Sequence, residues 1–178
     1  MYSKEEKKKS TVDFWNSFGL YMKKYNRDFG RVKWVNYRSN VKDIFFRLNI
    51  TNKTATFSIE IQHKEEGMRE LFFEQFKELK GVLNDNIRED LIWEDLTYNK
   101  NNQPICSIYS ELENVSIYNR DDWQKVFVFF AFNQGFVHVV INGNGRIFQI
   151  PLLFHIANYL VEHPKIILFF INRLMRKH

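Results

Sequence analysis

Two runs of alternating apolar and polar residues, followed at once by a change of period, constrain this chain more than anything else in it. In residues 44–50, Ile44, Phe46, Leu48 and Ile50 fall at every second position; in residues 54–63, Ala55, Phe57, Ile59 and Ile61 do the same. A period of two belongs to a strand with one buried face. Thr51-Asn52 between the runs is short enough for a tight hairpin. From Lys64 the spacing switches, and Met68, Leu71, Phe72, Phe76, Leu79 and Leu83 describe one face of a helix, with Glu65 placed to pair with Arg69. A hairpin with one face to bury, followed by a one-faced helix, predicts an α+β domain with helices packed on one side of an antiparallel sheet.

The remaining segments extend that pattern. Ser3 and Glu6 have the spacing of a capping box, which starts an N-terminal helix over residues 4–25. Phe14, Trp15, Phe18, Tyr21, Met22 and Tyr25 form its apolar stripe. Residues 32–37 read as a strand. Residues 91–98 and 105–109 read as a second hairpin across the polar loop 99–104, which brings the sheet to about five strands. Asp121 is placed to cap a helix starting at Asp122. The expected sheet core is Phe46, Leu48, Phe57, Ile59 and Ile61; the expected helix core is Trp15, Phe18, Met22, Leu71, Phe72 and Phe76. With 18 Phe in 178 residues, burial of large rings dominates the folding of one ordinary-sized domain.

Composition changes near residue 126. From there to residue 171 the only charged side chains are Arg146, Glu162 and Lys165. Residues 137–141 and 147–150 read as a hairpin around Asn142-Gly143, followed by helices from Pro151 and Pro164. The chain thus divides into an α+β domain over residues 1–130 and a hydrophobic tail over 131–178. Polar residues interrupt the uncharged run, and residues 147–161 are too few to span a bilayer, so no membrane association is expected. A charged N-terminus without an apolar h-region, and a single cysteine, point to the cytoplasm.

Charge is unevenly spread. Residues 1–33 hold nine Lys/Arg against four Asp/Glu, residues 34–125 twelve against sixteen, and residues 126–178 five against one. Basic ends can meet a phosphate backbone. Lys4, Lys7, Lys8, Lys23 and Lys24 of the first helix are the candidate nucleic-acid-binding residues.

Catalytic motifs are sparse. The five histidines lack the spacing of a helical zinc site, and Cys106 reads as a small buried hydrophobe. Gly143-Asn144-Gly145 is better explained by a turn than by a dinucleotide fingerprint. One constellation carries chemistry. If Ile50 lies opposite Lys53, then Asn49 faces Thr54, Arg47 faces Thr56, Phe45 faces Ser58, and Asp43 faces Glu60, with Gln62 on the same face. Asp43 and Glu60, helped by the Gln62 amide oxygen, could then hold a hard cation such as Mg²⁺. The order helix, three strands, helix, strand, with Asp on one strand and Glu-x-Gln on the next, resembles the core of the PD-(D/E)xK nucleases. That resemblance implies metal binding by the acidic pair and assistance to water by Gln62.

A second resemblance covers more of the chain. The strings KEEKKKSTVDFWNSFGLYMK from Lys4, VKDIFFRLN from Val41, SIEIQHKEEGMRELFFEQFKELKG from Ser58 and IYNRDDWQ from Ile117 occur in order. They are similar to short, stand-alone members of the bacterial domain-of-unknown-function 4268 family over about residues 1–130. The resemblance implies one compact α+β domain and carries over no catalytic residue. Related domains in nuclease-like proteins imply a role near nucleic acid. The tail departs from the family pattern after about Phe130. The expected function is a non-enzymatic binding module for a protein or nucleic-acid partner, with no cofactor. The alternative is a divergent metal-dependent nuclease using Asp43, Glu60 and Gln62 with Mg²⁺.

Overall fold

The computed structural model describes residues 3–23, 39, 41–87 and 89–142, with backbone alone at 82, 85, 86 and 135–142. Helix α1 spans Lys4–Met22 and starts on the expected capping box. Ser3 Oγ accepts from the Glu6 backbone N–H at 3.2 Å, and the Glu6 carboxylate accepts from the Ser3 N–H at 2.7 Å. The Ser3 backbone N–H first, then the Ser3 hydroxyl, pull the Glu6 carboxyl below its ordinary range. Strands β1 (Ile44–Ile50) and β2 (Thr54–Ile61) follow. Helices α2 (Glu66–Glu78) and α3 (Lys80–Asn86) come next, separated at Leu79. Strands β3 (Ile92–Tyr98) and β4 (Pro104–Glu113) form the second hairpin, and helix α4 (Arg120–Asn142) ends the described chain.

The four described strands make one antiparallel sheet in the order β1-β2-β4-β3. The expected strand over 32–37 lies outside the described residues. Alternation sends Ile44, Phe46, Ala55, Phe57, Ile59, Ile61, Cys106, Ile108 and Leu112 to one face, where all are buried. All the described helices lie on that face. Phe72, Phe73 and Phe76 of α2 join the same core as Phe14, Phe18 and Met22 of α1. Leu48 and Trp15, both expected in the core, pack against it half-buried.

Helices α1 and α4 meet through rings. Phe14 lies 5.2 Å from Phe127 and 5.4 Å from Trp123 between ring centroids; Phe18 lies 5.6 Å from both Phe127 and Phe130. Each fully buried Phe contributes roughly 1.5–3 kcal/mol, with a further 0.5–1.5 for well-placed ring pairs. Trp123 donates its indole N–H to the Ile117 carbonyl at 2.9 Å, so its one polar atom is satisfied within the core. Asn133, fully buried on α4, donates to Ser110 Oγ of β4 at 3.3 Å and fixes the helix on the sheet.

Three local expectations are corrected. Helix α4 begins at Arg120, with Asn119 as its cap: Asn119 Oδ1 accepts from the Asp121 N–H at 3.2 Å. Asp121 sits within the first turn, where its charge still favours the helix N-terminus. Residues 137–141 belong to α4 and form no strand. Trp123, Val126, Phe127, Phe130, Asn133 and Gln134 are all buried at helical spacing, and the helix continues from them. Arg69, buried to 5%, turns inward and donates to the carbonyls of His63 and Lys64, both at 3.0 Å, in place of an ion pair with Glu65. Two carbonyls compensate the desolvated guanidinium there.

Candidate functional site

The second face of the sheet is where alternation puts its polar side chains, and among the described residues no helix covers it. Rows run straight across the strands. Phe45, Glu60, Ser107 and Glu94 form one row; Arg47, Ser58, Tyr109 and Ile92 form the next; Asn49, Thr56 and Glu111 form a third. The middle positions Ser58 and Ser107 are short and almost buried beneath longer neighbours. Arg47, Glu60, Glu94 and Tyr109 flank these two serines in the rows.

The register differs from the expected one, and the turn explains why. Thr51, not Ile50, closes the hairpin: its N–H donates to the Thr54 carbonyl at 2.8 Å, while its Oγ accepts from the N–H groups of Lys53 and Thr54. The loop is therefore Asn52-Lys53, and Phe45, not Asp43, lies opposite Glu60. Both registers keep the same residues on the apolar face, because they differ by two positions. The observed one pairs Phe46 with Ile59 and Leu48 with Phe57, which joins more apolar surface.

The three residues of the sequence-derived metal constellation are tied to one another and to neighbouring side chains by contacts that leave no shared cation position. Asp43 precedes β1 with a left-handed backbone (φ 64°), which Asp tolerates better than most residues. Its carbonyl accepts from the Gln62 N–H at 2.7 Å, and its carboxylate lies 3.7 Å from His63 Nε2. His63 Nδ1 accepts from the Glu65 N–H at 3.1 Å. Glu60 accepts from Gln62 Nε2 at 2.6 Å and lies 3.6 Å from Arg47 Nε. The Gln62 amide thus presents its N–H₂ to the carboxylate, not its oxygen to a cation. Among the described residues, no group of three or more His, Cys, Asp or Glu is placed to hold a metal ion.

The sequence-derived basic set is spread along α1. Lys4, Lys7 and Lys8 are exposed on its first turns, and Lys23 is exposed at its far end. Sixteen residues of helix separate Lys7 from Lys23, about 24 Å at 1.5 Å per residue. Lys24 lies outside the described residues.

Three further carboxylates escape a reading of the sequence alone. Glu94 accepts from Tyr109 Oη at 3.5 Å, Glu111 accepts from Thr56 Oγ1 at 3.3 Å, and Glu113 lies opposite Thr54. No basic side chain comes within ion-pair distance of these three among the described residues. Burial first, then the Glu94 and Glu111 charges, push the Tyr109 phenol above its ordinary range. The signal that locates these residues is the alternation Ser107, Tyr109, Glu111, Glu113, which carries β4 four residues past Tyr109.

Cys106 faces the core. Its Sγ–H donates to the Asp95 carbonyl at 2.9 Å, and burial pushes the thiol up to about 11 against the pull of Arg69. Such a thiol carries almost no thiolate near neutrality and is a poor nucleophile. No described helix is long and apolar enough to cross a membrane.

The sequence model of one protein family, described as Domain of unknown function (DUF4268), matches residues 11–134, and the chain belongs to that family. No curated protein and no solved structure matches the chain.

Proposed function

We propose, from that membership and from the geometry of the open sheet face, that the domain is a non-enzymatic binding module for a protein or nucleic-acid partner. One observation carries this: a four-stranded sheet buries one face under helices and, among the described residues, leaves the other uncovered by any helix as a chemically varied surface. Rigid strands hold Arg47, Glu60, Glu94 and Tyr109 at fixed spacing, which suits recognition. The setting that fits best is a bacterial cytoplasm, where a buried free thiol stays reduced.

The nuclease alternative has less support, because Asp43, Glu60 and Gln62 are each engaged by another protein group. A metal enzyme would be stabilised by its cation through mass action. Millimolar Mg²⁺ or Mn²⁺ is therefore expected to leave the melting temperature unchanged, and labelled single- and double-stranded DNA to stay intact. A metal-dependent rise that Asp43→Asn and Glu60→Gln each abolish, together with DNA cleavage, would overturn the binding-module assignment.

A further inference from the structure

We infer that the β3–β4 half of the open sheet face docks an arginine- or lysine-bearing segment of a protein partner. The inference rests on the binding-module assignment and names the partner's chemistry. Glu94, Glu111 and Glu113 share this half-face, and Arg47, the one basic residue of the face among those described, sits two strands away beside Glu60. Tyr109 lies between Glu94 and Glu111, with its hydroxyl on the Glu94 carboxylate and its ring next to exposed Ile92. A cationic side chain laid over that ring meets a π-face and two carboxylates at once. Its aliphatic stem meets Ile92, which is 45% exposed.

The sign of the charge selects the occupant. A phosphate backbone brought to this face would meet three carboxylates that have no ion pair among the described residues, so charge disfavours nucleic acid here. A second copy docked through its own β3–β4 half-face would bring the carboxylates of both copies into one interface. A basic protein segment complements both the charge and the ring.

Fluorescence anisotropy on the full chain tests this. The probe is a labelled, end-blocked peptide of alternating Arg and Ser; the comparison probe is a single-stranded oligonucleotide. The Arg peptide is expected to bind, with affinity falling as salt rises. The Glu94→Gln/Glu111→Gln double variant is expected to weaken binding about tenfold or more, as one lost charged contact of roughly 1.4 kcal/mol would do. Tyr109→Phe keeps the ring and is expected to bind nearly as well, whereas Tyr109→Ala is not. Glu70→Gln/Glu78→Gln changes net charge equally on an exposed face of α2 and is expected to change little. Equal weakening by the two double variants would reduce the effect to net charge and overturn the inference. Binding of the oligonucleotide alone, lost on charge reversal of Lys7 and Lys8, would also overturn it while leaving the binding module standing. If neither probe binds, both assignments fall.

Discussion

Cys106 shows how little a residue's chemistry can be inferred from its type. Mid-strand among apolar neighbours, it reads from sequence as a small hydrophobe, and the structure adds the buried Arg69 nearby and the bond to Asp95. The thiol is neutral in the folded chain up to about pH 11, whereas an unfolded thiol ionises near 9. The unfolded state therefore loses its proton first, and stability falls as pH rises through that window. Tyr109, also raised, acts in the same direction. Two outcomes are expected. Cys106 should resist a thiol reagent at pH 8 until the chain unfolds, and Cys106→Ala should flatten the decline of melting temperature between pH 9 and 11. Rapid labelling of the folded chain would contradict the burial. Asp43 and His63 were less legible: their approach depends on a left-handed backbone at position 43 that no side-chain pattern announces.

At the level of elements, periodicity located β1 to the residue and placed the others within a few positions. It could not choose among registers that keep the same face inward, and the side-chain hydrogen bonds of Thr51 made that choice. Helix α4 illustrates a related ambiguity. An uncharged run rich in Phe and Val suits a strand or a helix, and its buried stripe became clear only against α1. Its true cap yields a test. Asn119→Ala removes an acceptor from the Asp121 N–H and is expected to cost about 1 kcal/mol, whereas Asp121→Ala should cost less, since only a charge–dipole term is lost. Urea denaturation of the two variants should rank them in that order; the reverse order would return the cap to Asp121. The β3 edge also has its own design. Register slips between Glu94 and Thr97, where Asp95 and Leu96 share one partner position, and such a bulge discourages edge-to-edge pairing of copies.

For the whole molecule, fold class, N-terminal helix and one-sided packing were all readable, because they follow from periods of 2 and 3.6. The open face was not, because its carboxylates acquire meaning only when three strands lie side by side. We expect the family domain to need α4 in full. Helix α4 runs unbroken past residue 130, and Ala131, Asn133 and Gln134 are buried beyond it. A chain ending at residue 142 is expected to unfold cooperatively. One ending at residue 130 leaves Ser110 buried without Asn133 and should be destabilised by about 2 kcal/mol or more. Scanning calorimetry of both chains decides. Loss of the transition in the longer chain would assign part of the core to residues 143–178.

The ring contacts between α1 and α4 have a consequence in time. Helix α1 is synthesised before α4, and the aromatic surface that covers it is made about a hundred residues later. At roughly 5–20 residues per second, Phe14 and Phe18 wait some 5–20 s on the ribosome before their partners emerge. Over that interval the nascent chain displays an amphipathic helix with a naked aromatic stripe, a surface that holdase chaperones recognise. The exposed lysines clustered in its first two turns give that waiting helix a like charge that opposes association until α4 arrives to cover it.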